Sequence, residues 1–128
     1  MPFLLHATVE TAAAISFISH PDSQLPRPVS SSPAARLILE SLGGLLLSTN
    51  LICLIFLVRP VFDETSRLVA ASLAFWHVWA CRRAWVRLTT DKVAESGTTP
   101  ARTFGGPAVH LGVHVVLLGS LLSAAVVS

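Results

Sequence analysis

Charge is what this sequence has least of. Asp, Glu, Lys and Arg make up 12% of its 128 residues, against about 25% in soluble domains. Hydrophobic residues make up 52% and mean hydropathy is +0.68. So few charges cannot cover the surface of a soluble fold of this size, and the class is integral membrane. The shortage is sharpest from Pro107 to Val127, which holds no Asp, Glu, Lys or Arg. About 20 such residues are what an α-helix needs to cross a hydrocarbon core of roughly 30 Å. The ionisable groups of this stretch are His110 and His114, one helical turn apart.

Other absences narrow the function. The formal net charge of +2 is too small to argue for a nucleic-acid partner. Cys53 and Cys81 lie in apolar runs and read as buried free thiols, since buried Cys behaves as a small hydrophobe. There is no P-loop, nucleophile elbow, Cys-x-x-Cys or His-Glu-x-x-His motif. A secretory leader is not expected, because residues 2–5 carry no positive charge and His6 and Glu10 interrupt the apolar run. A mitochondrial leader is not expected either, because the first arginine is Arg27. The first segment is therefore expected to stay as part of the fold.

Four helices are expected, at about 2–19, 33–58, 66–88 and 107–127. The first is short and rich in small residues, which suit close helix packing in lipid. A loop from His20 to Pro33 follows, with proline at 21, 26, 28 and 33. Ser32 before Pro33 pairs an N-cap with a proline at the first helical position. The second helix is uncharged from Leu42 to Val58; Gly43, Gly44 and Ser48 give it a small-residue patch, and Gly44-x-x-x-Ser48 fits the small-xxx-small contact pattern. Arg59-Pro60 ends it. Pro60 to Ser66 is a short turn of the kind that joins antiparallel neighbours, with Asp63, Thr65 or Ser66 as caps. The third helix has an uncharged centre from Leu68 to Cys81, extended by Arg67 and Arg82, whose stems can lie in lipid. Ala70, Ala74, His77, Cys81 and Ala84 share one face of it by spacing. Trp76, Trp79 and Trp85 lie towards its basic end, where tryptophan marks a bilayer interface. Thr89 to Gly106 reads as a loop.

Lys and Arg counts set the orientation. The first and third connections, with their helix ends, carry Arg27, Arg36, Arg82, Arg83, Arg87, Lys92 and Arg102, whereas the second carries Arg59 and Arg67. The first and third connections are expected in the cytoplasm and both termini outside it.

Ionisable residues inside spans are functional candidates by default. Here they are His6, Glu10, Glu40, His77, His110 and His114, with Asn50 as a neutral partner. At about 1.5 Å rise per residue, Glu10, Glu40, His77 and His114 fall at similar depth, one from each helix. They are the acid/base candidates. A buried carboxyl and an imidazole could move a proton on a lipid-like substrate, as in an isomerisation or cyclisation. Asn50, Trp76 and His110 are the ligand-binding candidates. Bundles also build metal sites from inward Glu and His, and two histidines can hold a heme. The Glu-x-x-His motif is absent, however, and no pattern marks heme, so no metal or cofactor is expected. The structural alternative is that these groups pair as polar glue, with His6 and Glu10, and Arg36 and Glu40, already at i,i+4 spacing.

The stretches Arg59 to His77 and Gly105 to His114 resemble small, uncharacterised fungal four-span membrane proteins. The resemblance covers segments two to four. It implies a eukaryotic membrane location and transfers no activity and no site residue. Membrane sterol isomerases and fungal membrane terpene cyclases also place polar groups inside helical bundles, but this chain is much shorter and does not match their motifs. That comparison is analogy alone.

The expected fold is all-α, an antiparallel four-helix transmembrane bundle forming one domain over residues 1–128. The leading functional expectation is a small multi-pass membrane protein with a structural or accessory role, sited in the endoplasmic reticulum or another endomembrane. Its expected partners are the lipid bilayer and either a second copy or another membrane protein. The alternative is an intramembrane acid/base enzyme, of isomerase or cyclase type, acting on a hydrophobic lipid- or terpene-like molecule.

Overall fold

The computed structural model describes residues 1–25, 32–94 and 106–127, with the backbone alone described at 91–94. It is all-helical, with four α-helices and no strand among the described residues. These are α1 (Pro2–Ser19), α2 (Pro33–Leu57), α3 (Glu64–Ala94) and α4 (Gly106–Val126). The chain divides into two compact units, Met1–Phe62 and Asp63–Ser128, each an antiparallel helix pair.

Local chemistry sets the boundaries. Ser32 caps α2, its Oγ accepting the Ala35 N–H at 3.1 Å, with Pro33 in the first turn. Asp63 is the residue that caps α3. Its Oδ1 accepts the Ser66 N–H at 3.0 Å and the Ser66 hydroxyl at 2.9 Å. The helix therefore begins at Glu64, ahead of the expected Ser66. At its far end α3 runs on to Ala94, so Thr89 to Ala94 are helical where a loop was expected. Nothing in those residues breaks a helix; the glycine and proline of that connection come later, at Gly97 and Pro100. The rest of the connection, with Arg102 and Gly105, lies outside the described residues, as does Arg27. In the first connection Pro21–Gln24 forms one 3-10 turn rather than open loop. Buried Gln24 ties it to α1 by donating to Ser16 Oγ at 2.8 Å.

In the first unit, α1 turns Phe3, His6, Ala7, Glu10, Ala14 and Phe17 inward. The inward residues of α2 are Gly43, Leu46, Asn50 and Cys53. Both sets recur at three- and four-residue intervals, as one helix face must. Within the small-residue patch Gly43 is the close-approach point, whereas Gly44 is not. A Cβ on Gly43 would lie 2.7 Å from Ile18 Cγ1, 3.0 Å from the Ala14 carbonyl oxygen and 3.1 Å from Phe17 Cβ. Gly44 has nothing within 4 Å, and the Ser48 hydroxyl bonds back to its own helix at the Gly44 carbonyl. The Gly44-x-x-x-Ser48 face therefore points outward. At the other end of the pair Phe3 packs on Phe56 and Phe62, each at 5.8 Å between centroids. Arg36 pairs with Asp22 at 3.0 Å rather than along the helix with Glu40. Both side chains of that pair are half exposed, so it contributes little.

In the second unit, Ser66, Ala70, Leu73, Ala74, His77, Ala80 and Ala84 of α3 are buried. So are His114, Leu117 and Leu121 of α4. Four of the α3 residues are alanine, and small side chains let two helix backbones approach closely. Cys81, expected on this seam, is only partly buried. The register is antiparallel: contacts advance along α3 from Arg67 to His77 to Arg83 as they recede along α4 from Ala125 to His114 to His110. At one end Arg67 Nε–H donates to the Ala125 carbonyl at 3.0 Å. A cation there complements the partial negative charge of a helix C-terminus.

The outward faces are also apolar. Leu45, Leu51 and Ile55 of α2, Phe75 of α3, and Val115 and Val116 of α4 are each more than half exposed. Three helices, α1, α2 and α4, are long and apolar enough to cross a membrane. The third, α3, is interrupted by Arg67, Arg82, Arg83 and Arg87 and is not one of them.

Candidate functional site

The densest polar constellation within one unit lies between α3 and α4. His77 stands on the buried face of α3, and the alanine seam brings α4 close enough for His114 to meet it. Their Nδ1 atoms are 2.9 Å apart, with ring centroids at 5.1 Å. Both rings are almost completely buried, at 0% and 2% exposure. Helical spacing supplies the next contact. His110 is one turn before His114, and the two Nε2 atoms are 3.2 Å apart with the rings nearly perpendicular. Arg83 Nη2 then reaches His110 Nε2 at 3.4 Å. The outcome is a continuous run, His77–His114–His110–Arg83, from the middle of the pair to its basic end.

Such a run can hold and pass protons. Each imidazole has two ring nitrogens, one a donor and one an acceptor when the ring is neutral. His114 uses both, Nδ1 towards His77 and Nε2 towards His110. His is also the side chain whose ordinary pKa lies closest to neutrality.

The structure places the other candidates as follows. Glu10 is buried on α1, at 1% exposure, one turn after the equally buried His6. Glu40 is exposed on the outer side of α2, because the inward face of that helix runs through Gly43, Leu46, Asn50 and Cys53. Asn50 is buried, and its Nδ2–H donates to Thr11 Oγ1 at 2.9 Å, an interhelical bond within the first pair. Trp76 is half-buried, and its indole nitrogen has no hydrogen-bond partner among the described residues. Trp79 and Trp85 are exposed, with the Arg82 guanidinium 5.9 Å from the Trp79 ring. In the sequence Arg83 stands out only as part of a basic cluster that sets orientation. Its contact with His110 needs the antiparallel register of α3 and α4, which no local pattern in either helix reveals. No protein-family model, curated protein or solved structure matches this chain.

Proposed function

We propose that this chain is a small multi-pass integral membrane protein with a structural or accessory role, its helices crossing the bilayer as four antiparallel spans. The observation that carries the reading is the apolar outer surface. Leu51 and Ile55 on α2 and Val116 on α4 are each over 60% exposed. In water these rows would cost about 25 cal/mol per Å² left uncovered. In lipid they cost nothing and only the backbone must be satisfied, which helices do. For α3, arginine stems lying along the apolar layer extend the short uncharged centre, and Trp79 and Trp85 sit where a headgroup layer would begin. The Lys and Arg bias supports an orientation with the first and third connections on the cytoplasmic side and both termini on the far side. Cysteine-accessibility labelling in sealed vesicles tests this, with single cysteines placed at Glu64 and Thr89 in a background lacking Cys53 and Cys81. A reagent that cannot cross the membrane is expected to label the two positions from opposite sides. Labelling of both from the same side would refute the four-span topology.

A second reading is intramembrane acid/base chemistry on a hydrophobic molecule. The linked imidazoles favour it, because helix adhesion alone requires one polar contact rather than a chain of three rings. His77 and His114 would carry the proton. Lipid profiling of a strain lacking the gene tests it, with rescue by wild type, His114→Phe or His77→Phe. An accumulated precursor that wild type clears and both variants leave would support the reading. Full rescue by both variants would end it.

A further inference from the structure

Two side chains on the outer faces of the helices carry opposite charges in apolar surroundings. Glu40 is exposed on α2, one turn after exposed Leu37. Arg36, also one turn before it, pairs with Asp22 instead. Arg82 is exposed on α3, between Trp79 one turn before and Val86 one turn after, both exposed as well. Its guanidinium lies 5.9 Å from the Trp79 ring. Among the described residues neither Glu40 nor Arg82 has an ion pair or a hydrogen bond. A charged group facing hydrocarbon is costly, and charged groups in spanning helices pair with one another. These two also stand level along their helices. Glu40 is 18 residues before Val58, and Arg82 is 18 residues after Glu64. Counted from the short connection between those residues, each lies about 27 Å along its helix. Four antiparallel spans therefore put both at one depth, on the cytoplasmic side.

We propose that Glu40 and Arg82 form an interface for a second copy of this chain, with Glu40 of each copy pairing with Arg82 of the other in a symmetric dimer. Charge complementarity at equal depth carries the proposal. Copies inserted in the same sense are related by a two-fold axis along the bilayer normal. That axis preserves depth, so opposite charges meet across it only when they lie level. Each copy brings one acid and one base, so the contact is self-complementary and one rotation makes both pairs. A guanidinium can meet a carboxylate with two parallel hydrogen bonds. The neighbouring side chains suit such a contact. Trp and Arg are the residue types that dominate interface energetics. Nothing lies within 4 Å of where a Cβ on Gly44 would be, which leaves room one turn from Glu40 for a ring the size of Trp79. Helices that meet at a glycine cross at about 40°. They part within a few turns, so Leu51 and Ile55 keep their lipid.

The dimer rests on the four-span reading, and its test keeps the two apart. Energy transfer is measured between donor- and acceptor-labelled copies of the full chain in lipid vesicles, over a range of protein-to-lipid ratios. The dye sits on a single cysteine at exposed Val127, far along the chain from either charge, in a background lacking Cys53 and Cys81. Wild type is expected to self-associate. Glu40→Arg alone and Arg82→Glu alone should each weaken self-association by roughly 100-fold, because like charges then face each other at both pairs. Mixing the two single variants should restore association, since each pair again joins opposite charges. The chain carrying both substitutions should also associate with itself. Absence of wild-type association, or single variants that associate as wild type does, would overturn the dimer. Rescue by the double variant without rescue by the mixture would overturn it too, because the pair would then lie within one chain. Accessibility labels at Glu64 and Thr89 read the topology of the same variants. Labelling of both from the same side would overturn the four-span reading and the equal depth with it. Labelling from opposite sides without the charge pattern would overturn the dimer alone.

Discussion

Gly43→Ala is the substitution whose outcome the structure specifies most closely. The added methyl would sit 2.7 Å from Ile18 Cγ1, 3.0 Å from the Ala14 carbonyl oxygen and 3.1 Å from Phe17 Cβ. Ile18 is 42% exposed, and its side chain can turn away. The other two atoms cannot. The Ala14 oxygen belongs to the helix backbone, and Phe17 is 1% exposed. Relief therefore requires α1 and α2 to part by about half an ångström, since carbon atoms are comfortable at about 3.5–4.0 Å. Overpacking of this kind costs roughly 1–3 kcal/mol. Replacing glycine inside a helix returns up to about 1 kcal/mol. Gly44→Ala is the internal control, because it brings the same helix gain with nothing within 4 Å. Thermal unfolding of the two variants in the same detergent should separate them by about 1–3 kcal/mol, with Gly44→Ala the more stable. Equal stability, or the reverse order, would refute the placement of α1 against α2.

Two further outcomes follow from single contacts. The Asn50–Thr11 bond should show a coupling of about 0.6 kcal/mol, and at most about 2, in a double-mutant cycle of Asn50→Leu and Thr11→Val in detergent, as interhelical hydrogen bonds in membrane proteins do. A cycle that closes to zero would mean the bond does not form. Arg67→Met keeps the apolar stem and removes the donor to the Ala125 carbonyl. The last turn of α4 should then exchange its amide hydrogens faster, by an amount worth up to about 1 kcal/mol, while exchange near His110 stays unchanged.

Much of this fold is legible in the sequence, because its helices are bounded by local chemistry. Ser32-Pro33 and Arg59-Pro60 bracket α2, and Asp63 opens α3. Where reading fails, the missing information is nonlocal. Gly43 and Gly44 are adjacent and equivalent in any local pattern, and only the path of α1 decides which of them meets Phe17. The sequence puts the end of α3 at about Leu88 because Thr89 to Gly106 is polar and contains glycine, yet Thr89 to Lys92 continue a helix readily once it has left an apolar layer. The candidate site divides along the same line. Helical spacing pairs His110 with His114, and depth suggests that His77 and His114 lie level. Depth gives no rotation about the axis, and Glu40, placed level with Glu10 and His114, faces outward. The contact of Arg83 with His110 leaves no local signal, because its partner lies 27 residues away on another helix.

The central claim is that the apolar outer rows of α2 and α4 face lipid. Spin-label accessibility tests it most directly, with single labels at Leu51, Ile55 and Val116 in the chain reconstituted into lipid vesicles. Collisions with molecular oxygen, which concentrates in the hydrocarbon, should be frequent at all three. Collisions with a water-soluble nickel chelate should be rare. Frequent nickel collisions at these positions would place the rows in water and contradict the account.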